Sequence, residues 1–104
     1  MKRRQRLHPT VRKEQILDAA LTLSQSDGYQ TITRQSVATL AGCSEGLVSR
    51  YFSTMPQLRR AVMSAAIAQA NLSVLAQGIA MKDAKALRAP EELRRQAVQL
   101  MMGG

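Results

Sequence analysis

The stretch TRQSVATLAGCSEGLVSRYF, which occupies Thr33–Phe52, decides the fold of this 104-residue chain. It begins with a threonine, whose hydroxyl can accept a hydrogen bond from a free backbone N–H group at a helix start. Apolar residues then recur at helical spacing, namely Val37, Leu40 and Ala41. Gly42 follows where a helix often ends in a left-handed backbone conformation, which glycine adopts without strain. The stretch therefore begins with a predicted short helix and a tight turn.

Ser44 is the predicted N-cap of a second short helix after this turn. The inward face of that helix is apolar and consists of Leu47, Val48, Tyr51 and Phe52. Its outward face consists of Glu45, Gly46, Ser49 and Arg50. Two short helices, the second with a polar outer face, form a helix-turn-helix, whose second helix enters the major groove of DNA. An ordinary helical hairpin with the same turn residues is the alternative interpretation.

The charge of the chain agrees with a nucleic-acid partner. Lysine and arginine number 15 against seven acidic residues, so the net charge is +8 and the isoelectric point is about 10.9. A basic excess of this size indicates a polyanionic partner, most commonly DNA or RNA. A charge that only keeps the protein soluble is the alternative. Aromatic residues make up 3% of the chain, so the core must be aliphatic and the predicted fold is all-α.

The residue types needed for catalysis are scarce. His8 is the single histidine, so the sequence offers no histidine pair for a metal ion or a catalytic triad. Cys43 is the single cysteine, and its place in a helix turn indicates a packing role. We therefore expect no enzymatic activity, no cofactor and no metal. We also expect no membrane association, because no run of about 18 apolar residues occurs.

Composition divides the chain into three predicted segments. Residues 1–9 form a flexible basic arm, residues 10–55 form the helix-turn-helix domain, and residues 56–104 form a helical dimerisation segment. The arm contains four cations and no acid: Lys2, Arg3, Arg4 and Arg6. Flexible basic arms reach the minor groove beside a recognition helix, so we interpret these cations as DNA contacts. A solvated tail is the alternative.

The predicted dimerisation segment consists of two helices. A long helix begins at Pro56, and its apolar stripe continues to about Gly78. A short last helix begins after Pro90, with two glutamates in its first turn. Three short helices bury too little surface to cover both apolar stripes, so we expect a homodimer. The predicted interface residues are Leu72, Leu75, Ile79, Leu93 and Leu100.

Many positions in order resemble the N-terminal DNA-binding domain of the TetR/AcrR family of bacterial transcriptional regulators. The resemblance covers Arg12–Met63. It rests on Ile16, Leu17, Ala19, Ala20, Leu23, Gly28, Tyr29, Thr33, Val37, Ala38, Ala41, Gly42, Ser44, Gly46, Tyr51, Phe52 and Leu58. It implies three DNA-binding helices, a fourth helix that leads to a dimerising domain, and a cytoplasmic protein of the bacterial nucleoid.

The chain departs from the family pattern in two ways. Ser49 and Met55 stand where family members usually have tyrosine and lysine, so Arg50 and the arm are expected to compensate for two DNA contacts. The family's ligand-binding domain is also about as long as this whole chain. The resemblance therefore implies DNA binding and dimerisation without a small-molecule ligand.

The predicted DNA contacts divide by chemistry. Gln35, Glu45, Ser49 and Arg50 carry groups that read base edges, and arginine to guanine is the commonest such pair. Thr33 and Ser44 mark helix N-termini, which attract phosphate. Glu45 has the alternative role of a dipole-stabilising acid, and Gly46 that of a weak helix position. The full predicted set is Lys2, Arg3, Arg4, Arg6, Thr33, Arg34, Gln35, Ser44, Glu45, Gly46, Leu47, Ser49, Arg50 and Tyr51.

Three functions fit these observations. The first is a sequence-specific dimeric regulator, a repressor that binds a palindromic operator. The second is a DNA-binding adaptor or architectural factor in replication, partition or packaging. The third is a protein-interaction module whose basic surface binds an acidic partner.

Overall fold

The computed structural model of the protein describes residues 9–103, which form seven helices and no strand. The helices are α1 (Pro9–Asp27), α2 (Arg34–Ala41), α3 (Glu45–Tyr51), α4 (Met55–Ala68), α5 (Leu72–Ala80), α6 (Ala84–Leu87) and α7 (Glu91–Gly103). The all-α prediction is confirmed. The four arm cations lie outside the described residues. The arm was predicted to include residue 9, but α1 already begins at Pro9.

The helix-turn-helix forms as its cap residues predict. Thr33 caps α2 by accepting a hydrogen bond from the Ser36 backbone N–H, and Ser44 caps α3 by accepting one from the Leu47 N–H. Gly42 ends α2 at φ 74° and ψ 37°, in the left-handed region that favours glycine. Helix α1 packs on both α2 and α4, and α2 packs on α3.

The apolar face of α2 is narrower than the sequence predicts. Val37 and Ala38 are buried in the core, together with Val48 of α3. Leu40, predicted to lie on this face, is 51% exposed. That prediction is wrong because α2 is only eight residues long and packs through Val37 and Ala38, which turns Leu40 toward solvent.

The sequence predicts one long helix after Pro56. This prediction is wrong, because two helices, α4 and α5, occupy its place. Helix α4 ends at Ala68, and Ala70 has a positive φ of 56°. Asn71 then caps α5 by accepting a hydrogen bond from the Val74 N–H. The change of direction lets α5 pack against α4 and α1.

This break also corrects one predicted interface residue. Leu75 is fully buried in the core of its own chain, so no partner can reach it in this fold. Leu72, Ile79 and Leu93 are partly buried against the same core, and Leu100 is 50% exposed. Helix α7 packs along α5 and covers part of the apolar stripe.

A polar cluster of hydrogen-bonded groups connects α5 to the loop between α1 and α2. The Tyr29 backbone N–H donates to Gln77 Oε1 at 2.8 Å, and Gln77 Nε2 donates to the Ser24 carbonyl at 2.9 Å. The hydroxyl of the buried Tyr29 lies 3.4 Å from Asp83 Oδ2, to which it donates. Asp83 in turn caps α6. These bonds join the helix-turn-helix unit to the helices that follow it.

Candidate nucleic-acid interface

Helix α3 has one apolar face and one polar face. Val48 is fully buried, and Leu47 and Tyr51 are partly buried against the core. The polar face consists of Glu45, Gly46 and Arg50, which are exposed, and Ser49, which is partly exposed. The spacing of these four residues places them on one side of the helix. This polar side is available to a partner, whereas the predicted contacts Leu47 and Tyr51 also hold α3 on the core.

The start of α2 has a closed capping arrangement. Thr33 Oγ1 accepts from the Ser36 N–H at 3.0 Å, and the Thr33 N–H donates to Ser36 Oγ at 3.0 Å. Thr33 and Gln35 are exposed. The first N–H groups of a helix have no partner within the helix, and the helix dipole makes this end positive. The capping uses the Thr33 and Ser36 N–H groups, so this end offers an anion the positive end of the helix dipole beside the exposed Gln35.

Arg34 differs from the neighbouring Thr33 and Gln35, because its guanidinium forms a hydrogen bond to another part of the protein. Arg34 Nη2 donates to the backbone carbonyl of Ser53 at 2.9 Å. Arg34 Nε is buried and has no hydrogen-bond partner. The side chain thus links the start of α2 to the turn that follows α3.

Sequence analysis did not find a second contact to this turn. The Lys13 ammonium of α1 lies 5.5 Å from the centroid of the Phe52 ring, which is within the range of a cation–π interaction. Lys13 and Phe52 are distant in sequence, and no local pattern joins them. Tertiary packing alone brings the cation over the ring.

Charge is unevenly divided along the chain. The arm contributes four of the eight net positive charges, since residues 1–8 contain four cations and no acid. Helix α3 carries one acid, Glu45, and one cation, Arg50. The charges of helix α3 therefore nearly cancel. Within residues 9–103, no group of three side chains that could bind a metal ion occurs.

None of the helices within residues 9–103 combines the length and apolar character needed to cross a membrane.

Comparison with known proteins identifies the helix-turn-helix. Residues 16–62 match the family model of the bacterial regulatory proteins of the tetR family. The match begins within α1, includes all of α2 and α3, and ends within α4. No curated protein and no solved structure matches the chain. The chain therefore carries a TetR-family helix-turn-helix domain at residues 16–62, and this domain supports a DNA-binding transcriptional regulator of TetR type.

Proposed function

We propose that the protein is a homodimeric repressor that binds a palindromic operator in double-stranded DNA and blocks access to a promoter. The polar face of α3 carries this proposal, because it stands exposed within a TetR-family domain. The protein would act in the bacterial cytoplasm, on the nucleoid, without a small-molecule ligand or an enzymatic step.

The exposed residues divide into base contacts and phosphate contacts. Arg50 has the fork of donors that pairs with guanine, and Glu45 can accept from cytosine N4. Gln35 and Ser49 are the further base contacts of this proposal. Thr33, Ser44 and Tyr51 lie at positions suited to phosphate. The arm adds Lys2, Arg3, Arg4 and Arg6 in the adjacent minor groove, where arginine favours a narrow groove.

Exposed apolar side chains near the end of α7 support dimerisation. Leu100 is 50% exposed, Met101 43% and Met102 80%. Leu72, at the start of α5, lines the same open groove as Leu100, and the other lining residues are Gln96, Gln99 and Gly103. Contiguous apolar patches on small proteins commonly mark an interface. A two-fold dimer through this surface presents two α3 helices and requires an operator with inverted half-sites.

Selection of duplexes from a random-sequence pool tests the function. The full-length protein is expected to enrich an inverted repeat, and a reporter promoter carrying that repeat is expected to be repressed by the protein. Enrichment with no repeated sequence, together with strongly salt-dependent binding, would indicate the architectural role instead. Failure to bind any duplex would favour an acidic protein partner.

Arg50→Ala gives the matched test of the proposed reading residue. If Arg50 pairs with guanine, the variant loses about 1–3 kcal/mol of binding free energy and relaxes preference at one position of each half-site. Arg60→Ala, an exposed arginine of α4, is the control and should leave the preferred sequence unchanged. Equal weakening on all sequences would show that Arg50 contacts phosphate only.

A further inference from the structure

We infer that Arg34 is a positioning residue for the recognition helix α3 and holds the turn after α3 in place, without contacting DNA itself. The inference rests on the proposed DNA-binding function and concerns how α3 is held for it. Arg34 is the first residue of α2, and its Nη2 donates to the Ser53 carbonyl at 2.9 Å. Ser53 lies between α3 and α4. The Arg34 side chain therefore connects the start of α2 to the turn that follows α3.

The burial of Arg34 favours this role over a phosphate contact. The side chain is partly buried, and its Nε is enclosed by protein. A guanidinium that binds phosphate in the usual forked manner presents two donors to the anion. The side-on fork of Nε and Nη2 is therefore closed to DNA unless the side chain gives up the bond to Ser53, which itself lies at the protein surface. Arg50, by contrast, is exposed on α3.

The bond lies at the exit of α3. Phe52 ends α3, since its N–H donates to the Val48 carbonyl at 2.9 Å, and Ser53 follows it. The Ser53 carbonyl lies between the α3 C-cap Phe52 and the α4 N-cap Thr54, and it accepts the Arg34 bond as a backbone oxygen of this turn. Lys13 lies 5.5 Å from the Phe52 ring on the same segment. Two cations from two other helices thus hold consecutive residues at the exit of α3.

Helix α3 depends on such contacts because it is short. It contains seven residues, and isolated helices of this length are unstable in water. Its orientation must therefore come from packing and from tertiary hydrogen bonds. A recognition site requires its reading groups to be held within about 0.5 Å of the productive geometry. Loss of the Arg34–Ser53 bond should loosen α3, which affects base reading more than general attraction to phosphate.

Two variants separate positioning from charge. Arg34→Ala removes both the hydrogen bond and the cation. Arg34→citrulline removes the cation but keeps the terminal N–H donor that bonds to Ser53. The citrulline variant can be assembled by chemical ligation at Gly42–Cys43, since Cys43 is the only cysteine. Arg60→Ala removes an exposed cation of α4 and is the control for the loss of one positive charge.

Binding is measured over a range of salt concentrations with two probes. One is the duplex that the wild-type protein selects from a random-sequence pool, and the other is a random-sequence duplex. Arg34→Ala should weaken binding to the selected duplex about tenfold and change binding to the random duplex little. Arg34→citrulline should rescue most of that loss and keep the wild-type salt slope. A slope reduced by about 0.9 per protomer in both variants would overturn the inference, because it would show that Arg34 neutralises a phosphate.

Amide hydrogen exchange of the free protein tests the same bond without DNA. Arg34→Ala should speed exchange of the Phe52 N–H relative to the amides of α1, and Arg34→citrulline should not. Unchanged exchange in Arg34→Ala would overturn the positioning role. Absence of any selected duplex for the wild-type protein would refute the proposed function instead, and the exchange experiment still decides whether Arg34 holds α3. If Arg34→Ala fails to fold, the salt slope of the citrulline variant still decides the inference: a wild-type slope supports it, and a slope reduced by about 0.9 per protomer overturns it.

Discussion

Gly42 and Gly46 illustrate at the residue scale how one residue type serves two purposes in the helix-turn-helix. Gly42 has φ 74°, so a side chain there would be strained although space around it is open. Gly46 has no such backbone requirement, and a Cβ atom there would meet Ser44 Oγ at an ordinary 3.8 Å. The fold therefore needs glycine at position 42, whereas position 46 can accept alanine. The proposed DNA-binding function gives Gly46 the role of letting the α3 backbone approach DNA closely.

Gly46→Ala is expected to have opposite effects on stability and on binding. Alanine is the better helix former by about 0.5–1 kcal/mol, so the free energy of unfolding should rise. The added methyl group on the exposed face should weaken binding to the selected duplex. Thermal unfolding and duplex titration of the same variant measure both quantities. Gly42→Ala is the control for stability and should lower it by about 1–2 kcal/mol. Unimpaired duplex binding by Gly46→Ala would show that the DNA backbone does not approach this position.

Local chemistry makes the bounds of the helices α2 and α3 predictable. How the helices pack in the folded chain cannot be predicted in the same way. Thr33, Gly42 and Ser44 mark the helix boundaries through side-chain caps and a left-handed turn. The break at Gln69–Asn71 contains neither glycine nor proline, and the apolar period continues across it. Asn71 was the available signal, because asparagine is a preferred N-cap.

The contacts of the candidate interface are likewise only partly predictable from the sequence. The exposed positions of α3 follow from helical spacing, so the sequence predicts which side chains face outward. The bond from Arg34 to the Ser53 carbonyl joins elements that only the folded chain brings together. A side chain that suggests a DNA contact by its charge can therefore be used within the protein.

The polar cluster between the α1–α2 loop and the helices α5 and α6 gives a pH-dependent prediction. Burial raises the pKa of the Tyr29 phenol above its ordinary value of 10.0, and the nearby Asp83 carboxylate acts in the same direction. The folded protein therefore keeps a proton that the unfolded chain releases as the pH rises through about 10. Stability from this group is fully present below that pH and is lost above it.

Tyr29→Phe removes this titration but leaves the ring in place. We expect the free energy of unfolding of the wild type to fall more steeply than that of the variant as the pH rises from about 9 to 11. Urea unfolding at a series of pH values measures the difference. Parallel pH profiles for the two proteins would rule out the contribution of the phenol.

On the scale of the whole molecule, the chain is elongated, with extents of 52 × 25 × 22 Å, and leaves apolar side chains exposed near the end of α7. Leu75 is fully buried and Leu100 is half-exposed. Core leucines hold the chain together, whereas exposed leucines are free to contact a second copy. The proposed dimer therefore uses the outer surface of α7 and the start of α5.

Leu100→Glu is expected to separate dimers without unfolding the chain, because a charge at an exposed position remains hydrated. Sedimentation at micromolar concentration should show monomers, and tight binding to the full inverted repeat should be lost. Leu40→Glu is the matched control for assembly, since Leu40 of α2 is 51% exposed, and this variant should remain dimeric. A wild-type protein that sediments as a stable monomer and still binds the full site would contradict the proposed dimer.

The proposed placement of α3 in the major groove, with its polar face toward the bases, can be tested by DNA cleavage from a chosen position on the helix. A DNA-cleaving iron chelate is attached to a cysteine at Glu45→Cys in a chain that also carries Cys43→Ala. Ala84→Cys, at the exposed first residue of α6, provides the control attachment. Both proteins are bound to the selected duplex, and the cleavage positions are mapped on both strands. We expect cleavage inside each half-site from position 45 and none there from position 84. Cleavage of the half-sites from position 84, or uniform cleavage without half-sites from position 45, would contradict the proposed placement.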